Sequence, residues 1–83
     1  MITAQTTLSE LIDMAIDNAN TLVLPGEQFI VRDLFACVEW KRISRAYRNK
    51  LGSMFWVYVE GKAAGKFTPV GKTPQRQQIY VRN

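Results

Sequence analysis

The chain has 83 residues, of which 47% are hydrophobic and 22% charged, and its net charge is +4. This length and composition predict one globular domain, 1–83. The chain contains one cysteine and no histidine, which excludes an internal disulfide bond and removes the side chains that most often act as general bases and zinc ligands. We therefore expect no enzyme activity, no metal site and no cofactor.

The hydropathy of the chain predicts neither a membrane segment nor a leader. No stretch approaches the ~18 consecutive apolar residues of a membrane-spanning helix. Residues 1–5 lack the basic and apolar regions of a signal peptide. Together with the single cysteine, these features favour a cytoplasmic protein.

The charge is divided unevenly along the chain. Residues 1–40 carry one arginine and six acidic residues, for a net charge of −5, whereas residues 41–83 carry ten lysines and arginines against Glu60 alone, for +9. A basic half of this kind favours a polyanionic partner. The alternative is that these residues only solvate the surface of a small basic domain.

Two long helices are predicted. The first spans about 8–20, because Thr7 and Glu10 are spaced as a capping box and apolar residues recur with helical period from Leu8 to Ala19. The second long helix spans about 45–60, with Ser44 as N-cap and Gly61 after its end. Its apolar positions predict this buried face: Tyr47, Leu51, Met54, Phe55 and Tyr58.

Shorter elements lie around these helices. Residues 24–26 predict a turn, 28–30 a short strand and 31–35 the start of a short helix that packs Leu34 and Phe35. Residues 66–82 predict a β-hairpin with its turn at 71–76, and Pro69 favours an edge strand. We expect Cys37 to be buried as a small apolar residue, and Trp40 to lie in the core.

The polar face of the second long helix carries Trp56. We expect a neighbouring segment, such as Phe67 or Tyr80, to cover this side chain. The alternative is that Trp56 is exposed and marks an interaction surface, because tryptophan is enriched in binding hot spots.

The order of these elements resembles the winged helix-turn-helix fold, an α+β fold of three helices, a short strand and a C-terminal β-hairpin called the wing. The sequence also resembles a small domain family of bacteria, their phages and mobile elements that has no assigned activity. That second resemblance rests on residues 29–35, Glu39-Trp40, Arg48, Leu51-Gly52, Phe55, Gly71-Lys72-Thr73, Gln77-Gln78 and Tyr80.

The winged-helix resemblance implies that the second long helix enters the major groove of double-stranded DNA and that the hairpin flanks it. Arginine can bond a guanine edge and asparagine an adenine edge, while lysine and arginine neutralise phosphates. The DNA-binding residues implied are Lys41, Arg42, Ser44, Arg45, Arg48, Asn49, Lys72, Thr73 and Arg76. The function expected is a small transcriptional regulator, with a homodimer formed through the first helix or residues 22–24.

Protein binding is a second function that the sequence allows. The same fold can bind a protein, and the domain would then inhibit or adapt a larger nucleic-acid machine through the acidic face of the first helix, and through Trp56 if it is exposed. Gly71-Lys72-Thr73 ends like a phosphate-binding loop but lacks its first glycine and the helix that follows it, so nucleotide hydrolysis is rejected.

Overall fold

Capping hydrogen bonds fix the start of both long helices in the computed structural model, which describes residues 2–83. Helix α1 spans Leu8–Leu22: the Glu10 amide donates to Thr7 Oγ1 at 3.2 Å, and the Thr7 amide donates to the Glu10 carboxylate at 3.4 Å. This confirms the predicted capping box. The helix continues two residues beyond the predicted end.

The predicted short helix is divided into two pieces. A 3₁₀ helix spans Val31–Leu34, and helix α2 spans Cys37–Trp40. They are separate because Phe35 and Ala36 adopt extended backbone angles. Cys37 is exposed, so the expected burial is wrong: the four residues of α2 form a single turn, none of which is buried.

Helix α3 spans Arg45–Glu60, as predicted, and the Tyr47 amide donates to Ser44 Oγ at 3.2 Å. Its buried stripe is Leu51, Phe55 and Val59. The predicted face was partly wrong, because the helix is turned toward Val59 rather than Tyr47. Tyr47 is 38% exposed, and Met54 and Tyr58 are half-buried.

Three strands form an antiparallel sheet in the order β1-β3-β2. Strand β1 is Gln28–Phe29, β2 is Phe67–Lys72 and β3 is Gln78–Arg82. Strands β2 and β3 form the predicted hairpin, with an irregularity between Pro69 and Gly71. Pro69 lies on an edge strand, as expected for a residue that has no amide to donate.

Aromatic contacts join the sheet to α3. The ring of Tyr80 stacks on Phe29 with centroids 5.7 Å apart and meets Phe55 edge-on at 5.2 Å. Phe67 also packs on Phe29, at 5.6 Å. These rings belong to the core, whereas Trp56 is 41% exposed. The expectation that a neighbouring segment covers Trp56 is therefore wrong. Trp40, expected in the core, packs against the core and is only partly buried.

The architecture is α+β, with three α-helices and one three-stranded antiparallel sheet within residues 2–83. The element order follows the prediction except that the single short helix expected from residue 31 is a 3₁₀ helix followed by α2 at Cys37–Trp40. Across the same residues, the structure has no helix that is both long and apolar enough to cross a membrane.

Candidate nucleic-acid interface

A groove of about 620 Å³ lies between α3, the 3₁₀ helix and the β2–β3 hairpin. Five of its lining residues are cationic and, in the part of the chain that the structure describes, none is acidic. We call it the cationic groove. Like charges collected on one concave surface raise the local potential and favour a polyanion. The five cationic residues are Arg32, Arg45, Arg48, Lys72 and Arg76.

Helix α3 supplies one wall of the cationic groove. Arg45 and Asn49 are exposed on its first two turns, where the Ser44 cap sets the direction of the helix. Gly52 and Trp56 continue this wall toward the C-terminal end. The wall therefore offers a charged end and an aromatic end.

The hairpin supplies the other wall. Its turn is closed by the Thr73 amide, which donates to the Gln77 carbonyl at 2.9 Å, and by the Gln77 amide, which donates to Thr73 Oγ1 at 3.1 Å. Thr73 therefore uses its side chain to hold the turn and does not line the groove. Lys72 and Arg76, on either side of it, are exposed and do line the groove. Arg76 has a positive φ of 64°.

Arg48 is held in place at the floor of the cationic groove. Its guanidinium carbon lies 5.3 Å from the centroid of the Trp40 ring, and its Nη2 donates to the Trp40 carbonyl at 2.9 Å. Its Nε is buried without a hydrogen-bond partner. Arg48 thus presents a fixed charge to the groove, with fewer free donors than an exposed arginine.

Besides Thr73, three of the predicted DNA-binding residues lie apart from the cationic groove. Lys41, Arg42 and Ser44 line a smaller depression of about 200 Å³ beside the N-terminal segment. Arg42 Nη1 donates to the Ile2 carbonyl at 2.9 Å, and Ser44 caps α3. The structure therefore brings together Arg45, Arg48, Asn49, Lys72 and Arg76 from the predicted set.

Sequence reasoning missed several residues of the groove. Arg32 is the single cation of residues 1–40, and the 3₁₀ helix brings it to the same groove as the basic half. Gln77 and Gln78 line the hairpin wall. The isolated positive charge of Arg32 in an acidic half was the available signal, but its position depends on how the 3₁₀ helix packs.

Tyr80 lies beneath the groove and also lines it. Its side chain is almost fully buried. Burial raises the pKa of Tyr80 to about 12, and the negative charge of Glu60 adds to this increase. The phenol, which is neutral at physiological pH even with the ordinary tyrosine pKa of about 10, adds no negative charge to the floor of the groove.

Comparison with known proteins places the chain in a family. The family described as "Domain of unknown function (DUF1413)" matches residues 14–82, so the chain belongs to it. No curated protein matches the sequence. Among solved structures, the chain is similar to one described as "SCCmec type IV LP1413 - nucleic acids binding protein", with a TM-score of 0.67 and 16% identity over 90% of this chain and 91% of that one. At this identity, the likeness shows that the two proteins share a fold.

Proposed function

We propose that this member of the DUF1413 family is a small DNA-binding protein, not an enzyme, that acts as a transcriptional regulator in the cytoplasm. The observation that carries the proposal is the cationic groove, whose five cations converge from the 3₁₀ helix, α3 and the hairpin without an acidic residue among them. Convergence from three separate elements is more than the solvation of one helix face would produce. The structural relative described as a nucleic-acid-binding protein adds support.

In this proposal the fold works as a winged helix. Helix α3 enters the major groove by its first two turns, and the hairpin acts as the wing. Arg45 and Asn49 are exposed there, and neither side chain donates a hydrogen bond within the part of the chain that the structure describes. These two residues are placed to bond base edges. Lys72 and Arg76 contact phosphates from the opposite wall.

We expect Arg48 to supply a positive charge rather than hydrogen bonds to a base edge. Its Nη2 donates to the Trp40 carbonyl and its guanidinium lies over the Trp40 ring. Bidentate hydrogen bonding to a guanine edge is therefore less available to Arg48. Its role in the proposal is a fixed positive charge that attracts a phosphate of the bound strand. Arg42 Nη1 donates to the Ile2 carbonyl, so its side chain is likewise less available to contact DNA.

The proposal includes a homodimer, because one α3 offers a small contact area and dimers bind two half-sites. Leu22 and Leu24 are 65% and 64% exposed at the end of α1, on either side of the buried Val23. Two exposed leucines at this point support a contact between copies. Sedimentation of the wild type and of a Leu22→Gln/Leu24→Gln variant tests this part separately from DNA binding.

The deciding experiment is fluorescence anisotropy with a mixed-sequence DNA duplex over a salt series from about 50 to 200 mM, the interval in which phosphate contacts are most visible. We expect affinity to fall with a log–log slope of about −0.9 for each phosphate contacted. Arg45→Ala should weaken binding, whereas Lys62→Ala, which removes an exposed cation outside the groove, should not. Absence of binding at the lowest salt would reject the proposal.

Binding to a protein is the competing function. It would use the acidic face of α1, and Trp56 would be its aromatic contact. The position of Trp56 favours nucleic acid instead, because the indole lines the cationic groove. If duplex DNA does not bind, capture of a partner by wild type and by a variant with the α1 acids removed is the experiment that follows.

A further inference from the structure

Trp56 and Gly52 lie on one face of α3, four residues and about one turn apart. Both line the cationic groove. Tryptophan is highly buried on average in folded proteins, yet Trp56 is 41% exposed. The fold has not used this ring for its core, so a large aromatic face is left in a concave and positively charged surface.

The fold does not require a glycine at position 52. Glycine within a helix destabilises it relative to alanine, because the unfolded chain has more freedom to lose. A Cβ atom at Gly52 would meet nothing within 4 Å apart from its chain neighbours and the backbone of its own helix, and the backbone is helical rather than left-handed. The space beside Gly52 is therefore open, and Trp56 lines the same groove one turn further along the helix.

The surroundings define the chemistry of a ligand for this space. The ring of Trp56 offers a flat apolar face, the five groove cations offer sites for negative charge, and the amides of Asn49 and Gln77 offer hydrogen bonds. A flat, hydrogen-bonding ring that is joined to phosphate satisfies all three. Bases stack on aromatic side chains in this way in positively charged grooves that bind unpaired nucleic acid.

We infer that the cationic groove contains a subsite for one unstacked nucleobase, which lies over Gly52 and against the indole of Trp56. The protein then binds nucleic acid more tightly when one base is free of the duplex stack. This inference rests on the proposed DNA binding and adds that the preferred DNA has one base free of the duplex stack. A bulged base supplies such a ring without the cost of opening a paired duplex.

The test compares a blunt duplex with the same duplex that carries one bulged adenine, by fluorescence anisotropy at one salt concentration. We expect the wild type to bind the bulged duplex at least roughly fivefold more tightly, the low end of what stacking on an aromatic side chain contributes. Trp56→Ala and Gly52→Leu should abolish this preference. Tyr47→Ala is the matched control, because Tyr47 is 38% exposed on α3 but lies outside the groove.

A second readout compares the two duplexes on one protein, so that any effect of its substitution applies to both. In a Trp40→Phe background, Trp56 is the sole tryptophan, and stacking of the bulged adenine should quench its fluorescence more than the blunt duplex does. Equal quenching, or a preference that persists in Trp56→Ala, would overturn the subsite while salt-dependent duplex binding stands. If the wild type binds neither duplex, the proposed function fails together with the subsite.

Discussion

Arg48 lies over the ring of Trp40, with its guanidinium carbon 5.3 Å from the ring centroid, and donates from Nη2 to the Trp40 carbonyl at 2.9 Å. This pair connects the last residue of α2 to the first turn of α3. It ties the start of α3 to the turn that precedes it. The arginine contributes to both the fold and the charge of the groove.

The first prediction separates these two contributions at Arg48. Arg48→Lys keeps the charge but loses the planar stacking and the hydrogen-bond geometry, so we expect it to lower the free energy of unfolding by about 1–2 kcal/mol. Arg48→Ala should lower it by a similar amount and also reduce the salt dependence of DNA binding by about one phosphate contact. Urea denaturation and the salt series measure the two effects. Equal salt slopes for Arg48→Lys and Arg48→Ala would contradict the predicted loss of one phosphate contact in Arg48→Ala.

The second prediction concerns the hairpin turn, where Arg76 has a φ of 64°. A left-handed conformation costs a side-chain-bearing residue about 1–2 kcal/mol, but it costs glycine almost nothing. Arg76→Gly should therefore be about 1 kcal/mol more stable than Arg76→Ala. Both variants should weaken duplex binding alike, since both remove the same charge. Thermal denaturation compares their stabilities, and a variant Lys62→Ala serves as the charge control.

The third prediction concerns Gly52. Because a Cβ there would meet nothing within 4 Å, Gly52→Ala should raise the free energy of unfolding by about 0.5–1 kcal/mol through the greater helix propensity of alanine. The measurement is urea denaturation of both proteins. Ala46→Gly, at an exposed position of the same helix, should have the opposite effect. Destabilisation by Gly52→Ala would show that the open space is needed by the fold itself.

The fourth prediction concerns pH. The pKa of Tyr80 is raised to about 12 by burial, and secondarily by Glu60, from about 10 in an unfolded chain. The folded state therefore favours the neutral phenol: its contribution to stability is complete below about pH 10 and is lost as the pH rises toward 12. In Tyr80→Phe, this part of the fall in the free energy of unfolding at alkaline pH should be absent. The difference in ultraviolet absorbance between wild type and Tyr80→Phe during alkaline titration gives the midpoint, and a midpoint near 10 would contradict the prediction.

Much of the backbone could be predicted because its signals are local. Thr7, Ser44 and the periodic apolar residues after them fix both long helices within a few positions, and Pro69 identifies an edge strand. The hydrogen bonds responsible join residues three positions apart. A sequence pattern contains both partners of such a bond.

The candidate site was harder to predict because its geometry depends on distant contacts. Arg42 is removed from the groove by a hydrogen bond to a residue 40 positions away, and Arg32 enters it through the packing of a 3₁₀ helix. Phe67 and Tyr80, the side chains expected to cover Trp56, are buried in the core, and Trp56 is exposed. Helical period placed Trp56 on the outer face, but it could not show which rings the sheet would bring beneath it.

In the proposed binding to DNA, the acidic residues of α1 affect how the protein approaches the nucleic acid. Glu10, Asp13 and Asp17 are exposed on α1 and lie outside the cationic groove. Because these carboxylates lie outside the groove and five cations line it, charge is unevenly distributed over the surface, and the field of a polyanion can orient such a molecule before contact forms. An approaching molecule is therefore turned so that its groove arrives first. Added salt should slow this arrival as well as shorten the lifetime of the complex.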